Sequence, residues 1–289
     1  MDAFFYIDKP SWCTSFDVLR DMRRKLSFKK FWHTGTLDPL ASWGLLVASG
    51  NYTKLLSYLH ADTKCYTADI MLDGTSPSLD RDTEITFLSQ SLREAAQNNI
   101  SQEDIKKLLS ESFSWDIEQV PPSYSALKID GKKALDRVLA GEEIELDSRK
   151  ATIYKSEILE YRYPLLRVQF RVSTGTYIRS IARDIGEKLW LWGYISELRR
   201  TYVGHLDISL AITLEDLTVD TTLSEKLLFW DTYIEFSDEE IYTRLSNGQR
   251  VRSEQSWQSD TALFLADSSG IRFVVEYREG VIHPQRKVL

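Results

Sequence analysis

The strictly alternating segment LRVQFRV, residues 166–172, constrains the fold more than any other part of this chain. Successive side chains of a β-strand point to opposite faces, so this period of two predicts a strand with one buried face. The segment 64–72 has the same period and places Tyr66, Ala68 and Ile70 on one face. Both segments therefore predict strands.

Helical patterns are fewer and fall between the strands without a regular order. Thr14 or Ser15 can cap a helix whose apolar stripe runs to Leu26. A capping-box pattern opens a helix over 102–111, and residues 177–191 carry isoleucines at helical spacing. Because strands outnumber helices and do not alternate with them, we predict an α+β fold with a mixed, largely antiparallel sheet flanked by helices.

The chain of 289 residues is longer than the usual single domain, so a large domain with a small one is expected. Acidic residues are concentrated at 211–240, which we interpret as the boundary region. Beyond it, residues 263–265 and 271–277 have the pattern of short strands. We therefore predict one domain over 1–230 and a small β-rich C-terminal domain over 231–289.

The formal net charge of −7 argues by itself against a nucleic-acid partner. That argument is weak, because exposed charges are screened beyond roughly 8–10 Å at cellular salt. Basic residues crowd the segment 20–30 and a second basic set lies at 179–200, while the acids concentrate elsewhere. A basic face on an acidic body and ordinary solvated helix charges both fit this distribution.

The sequence has no pattern typical of targeting or metal binding. The N-terminal MDAFFYIDKP lacks a basic region followed by a long apolar stretch, and no apolar run reaches membrane-spanning length. Cys13, Cys65 and four scattered histidines are not in zinc-like spacing. We expect a cytoplasmic protein with reduced cysteines, without a membrane partner, a metal or a cofactor.

The segment HTGTLDPLA, residues 33–41, is the strongest candidate for a reactive site. Its glycine and proline predict a loop over 33–39. Pro39 biases Asp38 away from helical backbone angles, and Gly35 frees the turn before it. Asp38 is thus expected in an extended conformation at a bend of the chain, which suits a nucleophile. An ordinary aspartate is ionised at neutral pH. A turn aspartate that binds backbone amides is the alternative.

HTGTLDPLA resembles the catalytic motif of the TruB family of pseudouridine synthases nearly letter for letter. Further segments resemble motifs of that family in the same order, over roughly residues 4–206: IDKPSWCTSFDVL, KCYTADIMLDG, QVPPSYSALKIDGKKA, STGTYIRSIARDIG and ELRRTYVG. The ordered series is far more specific than any one of its members.

The resemblance implies that a uridine is flipped out of the RNA, at a cost on the order of a few kcal/mol, and is then isomerised. Asp38 matches the catalytic carboxylate, which either attacks the ribose or assists removal of a sugar proton. Tyr66 matches a tyrosine that stacks on the base, for about 1–3 kcal/mol, with its hydroxyl near C5 as a proton acceptor. Arg179 matches an arginine that would keep Asp38 ionised. A core tyrosine and a solvated helix arginine are the alternatives.

Other matches surround these three residues. Four residues correspond to family positions around the flipped nucleotide: His33, Lys64, Tyr177 and Leu198. Four basic residues are candidates for contacts with RNA phosphates: Lys9, Lys30, Arg199 and Arg200. Phosphate contacts are individually weak and become weaker together as salt rises.

The activity that the resemblance implies is isomerisation of uridine 55 in the T loop of tRNA, without a metal, a cofactor or a protein partner. The implied fold is the pseudouridine synthase fold, with an RNA-gripping insertion over about 76–120. Within 231–289, the segment 247–249 resembles the start of a PUA-like RNA-binding module.

The sequence departs from the family pattern at four places. Trp32 stands where glycine is usual before the histidine, and the stretch 42–44 has one residue more than usual. The stretch 11–13 lacks the glycine usual after Lys-Pro, and Leu135 occupies a position that is commonly tyrosine. These departures bear on loop geometry and substrate fit.

Three other functions fit parts of the sequence. A tRNA-binding chaperone would need the same RNA contacts without catalysis, and a guide-RNA-dependent relative would act on ribosomal RNA with partners. A glycosidase also breaks glycosidic bonds, but it generally needs two carboxylates across the bond. We interpret the available ones, Asp80, Asp82 and Asp184, as structural.

Overall fold

The computed structural model describes residues 1–35, 38–59, 63–253, 257 and 262–289. Thr36 and Leu37 of the HTGTLDPLA segment, and the histidine at position 60, lie outside the described residues. None of the described helices is long and apolar enough to cross a membrane.

The helices in these ranges are α1 Ser15–Leu26, α2 Gln90–Asn99, α3 Gln102–Ser112, α4 Ala134–Leu139, α5 Ile178–Lys188, α6 Glu225–Leu228 and α7 Glu239–Ser246. The strands are β1 Phe4–Lys9, β2 Phe31–His33, β3 Ser42–Ser49, β4 Thr63–Met71, β5 Gly74–Thr75, β6 Thr86–Phe87, β7 Trp115–Gln119, β8 Lys128–Ile129, β9 Lys132–Lys133, β10 Arg149–Arg162, β11 Leu165–Ser173, β12 Tyr194–Val203, β13 Leu206–Asp207, β14 Tyr233–Glu235, β15 Val251–Arg252, β16 Leu263–Asp267, β17 Gly270–Arg278 and β18 Val281–Lys287.

The larger sheet has the strand order β1-β3-β12-β4-β11-β10-β7, with β2 beside β3 and β13 beside β12. Its pairs are antiparallel except for β12 with β3, which is parallel. The predicted mixed, largely antiparallel sheet is therefore confirmed, and α5 lies against it. The loop predicted over 33–39 begins one residue later than expected, because His33 ends β2 and pairs with β3.

The two segments that alternate in sequence, 64–72 and 166–172, form the paired strands β4 and β11 at the centre of this sheet. β4 and β11 pair so that Tyr66 lies opposite Phe170 and Ala68 opposite Val168. All four side chains are buried, and Ile181 of α5 belongs to the same apolar cluster. Each large apolar side chain buried in this way stabilises the fold by about 1.5–3 kcal/mol.

The helix α1 begins where its capping pattern predicts. The side chain of Thr14 accepts a hydrogen bond from the backbone N–H of Asp17 at 3.1 Å, and the carboxylate of Asp17 accepts one from the backbone of Thr14 at 2.8 Å. Val18, Leu19 and Met22 are fully buried. A capping box of the same kind opens α3.

The C-terminal strands form a second sheet in the order β14-β16-β17-β18-β15, which confirms the β-rich C-terminal part. This sheet packs on the larger one, because Phe4 and Tyr52 share an apolar cluster with Phe264 and Ile271. The hydroxyl of Tyr52 also accepts a hydrogen bond from the backbone of Ile271 at 3.0 Å. A domain boundary at 230 stays a prediction.

The segment 76–120, predicted as an insertion, contains β6, α2, α3 and β7. The helix α2 was not predicted. Ile105 and Leu109 of α3 are buried against the main apolar cluster. Whether this segment grips RNA stays a prediction.

Candidate active site

Asp38 and Arg179 form an ion pair with 2.7 Å between Oδ1 and Nη2. Asp38 belongs to the segment between β2 and β3, and Arg179 lies in the first turn of α5, 141 residues away in sequence. The side chain of Arg179 is 4% exposed and that of Asp38 is 31% exposed. The pair is therefore open to solvent on the side of the carboxylate.

Three other groups hold the guanidinium of Arg179. It donates hydrogen bonds to the carbonyl of Ser78 at 2.7 Å and to that of Tyr124 at 2.9 Å. The carboxylate of Asp80, which is fully buried, lies 3.3 Å from Nη1. A buried charge without partners would destabilise the fold, so these contacts are what allow the guanidinium of Arg179 to be buried.

Asp80 also belongs to this site, although the sequence analysis interprets it as structural. Its Oδ1 accepts hydrogen bonds from Ser78 Oγ at 2.6 Å and from the backbone of Asp82 at 2.9 Å. These bonds hold the carboxylate in place beside Arg179. In sequence it stands in the polar run SPSLDRD, a pattern that also occurs in ordinary surface turns.

Lys9 lies behind the Asp38 segment and is fully buried. Its ammonium donates to the carbonyls of Pro10 at 2.9 Å, Cys13 at 2.7 Å and Pro39 at 3.3 Å. An ammonium has three donors, and all three are used. In this conformation the ammonium therefore anchors the chain next to Asp38. That Lys9 contacts a phosphate stays a prediction.

The electrostatic surroundings make Asp38 more basic than an exposed aspartate. Burial raises its pKa above the ordinary 3.8, the positive charge of Arg179 lowers it, and the negative charge of Asp80 raises it further. Burial also lowers the pKa of Lys9. A carboxylate that is paired with a cation and still basic can act as a nucleophile or as a general base.

The neighbouring strands β4 and β12 present the predicted base-contacting side chains on one face. Tyr66 lies opposite Arg200, and Ala68 lies opposite Leu198. Residues opposite each other in an antiparallel pair share a face of the sheet. Tyr66 is 4% exposed and Leu198 is 6% exposed, so both side chains are almost completely covered in this structure. Asp38 is close enough to Tyr66 that its charge raises the pKa of the phenol.

That Arg200 contacts a phosphate stays a prediction, but the residue is buried and lies over the ring of Trp43. It also faces Tyr66. Burial lowers the pKa of Arg200 to about 10. Burial raises the pKa of Tyr66, while the hydrogen bond and the charge of Arg200 lower it. Burial also lowers the pKa of Lys64, on the same strand as Tyr66, to about 8.

The remaining predicted residues lie around this centre. Tyr177 is half-buried and immediately precedes α5, where Gln119 binds its backbone. His33 is 8% exposed at the end of β2. Lys30 is exposed, which suits a phosphate contact. Arg199 is 42% exposed but bonds to Asp8 at 2.8 and 3.2 Å. The roles of these residues stay predictions.

Two solved structures have the fold of this chain. One is a Cbf5–Nop10–Gar1 complex, matched with a TM-score of 0.67 at 20% identity over 99% of this chain and 85% of the other. The second is an H/ACA ribonucleoprotein bound to a substrate RNA containing 2'-deoxyuridine, with a TM-score of 0.66 at 18% identity and the same shares. At these identities the likeness establishes the fold alone.

Curated relatives extend the similarity to sequence. A protein of Dehalococcoides mccartyi, a tRNA pseudouridine synthase B, is 35% identical over 99% of this chain and 96% of its own length. A protein of Corynebacterium diphtheriae with the same name is 41% identical over 76% of this chain and 75% of its own length.

Two family models match successive parts of the chain. Residues 23–178 match the N-terminal domain of the TruB family pseudouridylate synthases, and residues 179–233 match the C-terminal domain of tRNA pseudouridylate synthase B. The fold, the site and these matches define a pseudouridine synthase, which is an isomerase. Within that class, the chain belongs to the TruB family.

Proposed function

We propose that this enzyme converts uridine 55 in the T loop of tRNA into pseudouridine, with Asp38 as the catalytic carboxylate. The observation that carries the proposal is the ion pair of Asp38 with the buried Arg179, next to Tyr66. The relatives' name, tRNA pseudouridine synthase B, supports tRNA as the substrate.

The reaction rearranges one uridine without any other reactant. The bond from C1′ to N1 breaks, the uracil turns, and a bond from C1′ to C5 forms. C5 then loses its proton, and N1 gains one. Asp38 either attacks the ribose or removes a sugar proton, and its raised pKa suits both roles.

Tyr66 has two tasks in this proposal. Its ring stacks on the flipped uracil, which offsets part of the cost of flipping by about 1–3 kcal/mol. Its oxygen is bound by Arg200. The phenol gives its own proton to N1, and the resulting phenolate takes the proton that C5 loses, so that Tyr66 ends as the neutral phenol. Because burial favours the neutral phenol, the guanidinium of Arg200 is needed to stabilise the transient phenolate of Tyr66.

We propose further that the enzyme needs no protein partner, although solved proteins of the same fold occur in multi-protein complexes. The test is to incubate the purified protein with an unmodified tRNA transcript and to map pseudouridine at each position. We expect modification at position 55 only. Modification elsewhere contradicts the proposed position, and an inert protein that becomes active in cell extract contradicts partner independence.

The variant Asp38→Asn separates catalysis from binding. We expect it to bind the transcript normally and to form no pseudouridine. Unchanged modification by this variant would exclude Asp38 as the catalytic group. Mapping pseudouridine in tRNA from cells that lack the protein tests the same assignment in vivo.

A further inference from the structure

Three large aromatic side chains lie in or beside the first turn of α1 and are each more than half exposed. Trp12 is 55% exposed, Phe16 is 56% exposed and Trp32 is 54% exposed. We call these three residues the aromatic rim. Single exposed apolar residues are common on protein surfaces, but several together mark an interaction site.

Two side chains of the rim, Phe16 and Trp32, pack against each other and against His33. The rings of Phe16 and Trp32 are perpendicular with their centroids 6.2 Å apart, and Phe16 meets His33 in the same way at 5.8 Å. Trp32 lies nearly parallel to His33, at 6.3 Å and 13°. The open faces of these rings are therefore held in place before any ligand arrives.

The rim borders the catalytic segment. The backbone N–H of Trp12 donates a hydrogen bond to the carbonyl of Pro39 at 2.7 Å, one residue from Asp38. The guanidinium of Arg81 lies over the ring of Trp12 at 5.5 Å, one residue from Asp80. An RNA whose uridine reaches Asp38 must therefore pass close to the rim.

The backbone conformation of Trp12 does not require a tryptophan. Its φ is +65°, in the left-handed region, where a bulky residue is unfavourable and a glycine is not. A glycine at this position would make the same turn at lower cost. The tryptophan therefore contributes through its exposed side chain.

The charge around the rim identifies the kind of partner. Residues 17–30 contain six basic and two acidic residues, although the whole chain carries −7. Lys29 and Lys30 are exposed just before Trp32, and Arg81 is exposed beside Trp12. Aromatic faces next to cations are how proteins bind unpaired nucleotides, by base stacking together with phosphate contacts.

We propose that the aromatic rim stacks on unpaired nucleobases of the substrate RNA that flank the flipped uridine. This inference rests on the proposed function, because it requires an RNA with its target at Asp38. The rim extends the bound surface beyond the catalytic pocket. It recognises bases through their π-faces and so adds affinity with little sequence preference.

The test compares Trp32→Ala and Phe16→Ala with Trp190→Ala, each combined with Asp38→Asn so that the RNA is not converted. Trp190 is 92% exposed after the last turn of α5, about 16 Å along the helix from Arg179. The probe is a T-arm stem-loop, and the readout is its Kd. We expect the rim variants to raise Kd by about 5- to 150-fold, and Trp190→Ala to leave it within about twofold.

An abasic scan separates stacking from a structural effect. Each unpaired nucleotide of the stem-loop is replaced in turn by an abasic one. If Trp32 stacks on one base, removing that base should raise the Kd of the protein that retains Trp32. The same removal should not raise the Kd of Trp32→Ala any further. A loss that is the same for every abasic RNA overturns the proposal, and so does a Kd that both rim variants leave unchanged.

Two further measurements keep the test independent of folding and of the proposed function. Trp32→Phe keeps a π-face and should restore most of the affinity, whereas Trp32→Gln should not. With Asp38 intact, the single-turnover rate at subsaturating protein should fall for Trp32→Ala together with its affinity, whereas Trp190→Ala should stay within about twofold of the unsubstituted protein. Failure to modify the tRNA transcript at all contradicts the proposed function, whereas normal modification with unchanged binding contradicts only the role of the rim. Unchanged RNA binding would instead favour a protein as the occupant.

Discussion

Gln119 binds both backbone groups of Tyr177. Its side-chain nitrogen donates to the carbonyl of Tyr177 at 3.0 Å, and its side-chain oxygen accepts from the N–H of Tyr177 at 2.8 Å. Gln119 ends β7 and is 2% exposed, and Tyr177 precedes the helix that carries Arg179. One amide thus joins the edge of the sheet to the start of the catalytic helix.

We predict that Gln119→Leu displaces the start of α5 and with it Arg179. The substitution leaves the N–H of Tyr177 without its partner and its carbonyl with only the N–H of Ile181, which should lower the free energy of unfolding by about 1–3 kcal/mol. Because Gln119 is a positioning residue, kcat should fall more than RNA affinity. Gln119→Glu, which keeps an acceptor for the N–H, should lose less of both. Equal loss in the two variants would exclude this role.

Asp80→Asn tests the second carboxylate of the Arg179 site. The substitution keeps the shape of the side chain and removes the charge, so the buried guanidinium retains only Asp38 as an anionic partner. We predict a loss of about 1–3 kcal/mol in unfolding free energy and a lower single-turnover rate. Asp82→Asn, at an exposed side chain in the same turn, should change stability by less than about 0.5 kcal/mol. Similar effects of the two substitutions would argue against the ion pair.

The raised pKa of Asp38 predicts opposite effects on activity and stability. Folding disfavours the ionised carboxylate, so its contribution to stability is complete below the unfolded pKa and is lost as pH rises through the folded pKa. Asp38→Asn should therefore melt at a higher temperature than the unsubstituted protein at pH 7, by a margin that disappears below the ordinary pKa of 3.8.

Activity should follow the same titration. In the unsubstituted enzyme the rate should fall on acidification through an apparent pKa above 3.8, because the reactive carboxylate becomes protonated. Asp38→Asn should reduce the rate by about 10²–10⁴-fold above that apparent pKa, and by less below it. The measurements are melting curves and single-turnover rates across the acidic range. A melting difference that does not vary with pH would contradict the burial effect.

Lys9→Met tests whether this lysine acts on the protein or on RNA. Methionine fills a similar volume but removes the ammonium that donates to the carbonyls of Pro10, Cys13 and Pro39, of which Pro39 keeps the N–H of Trp12. We predict a loss of about 1–3 kcal/mol in unfolding free energy and a lower turnover rate, with an unchanged salt dependence of RNA binding. Lys30→Met should leave the free energy of unfolding and the turnover rate unchanged. It should instead reduce the slope of log Kd against log salt by about 1. A reduced slope with Lys9→Met would show that Lys9 does contact an RNA phosphate.

The local patterns of the sequence predict the parts of the fold that depend on near neighbours. Thr14 and Asp17 meet three residues apart, so the start of α1 could be predicted from their order alone. Tyr66 and Ala68 share a face because the strand has a period of two. The Asp38 segment could be recognised for a similar reason, because its glycine, aspartate and proline act within a few residues.

Partners that are distant in sequence were decided only by the tertiary structure. Lys9 and Arg200 appear as ordinary surface cations in the sequence, yet both are buried and bound to other parts of the chain. Asp80 and Gln119 carry no local pattern that sets them apart, and each matters through a contact with a residue that follows far along the chain. A buried charge or amide is stabilised only by the groups that the fold brings around it, and local sequence does not contain that information.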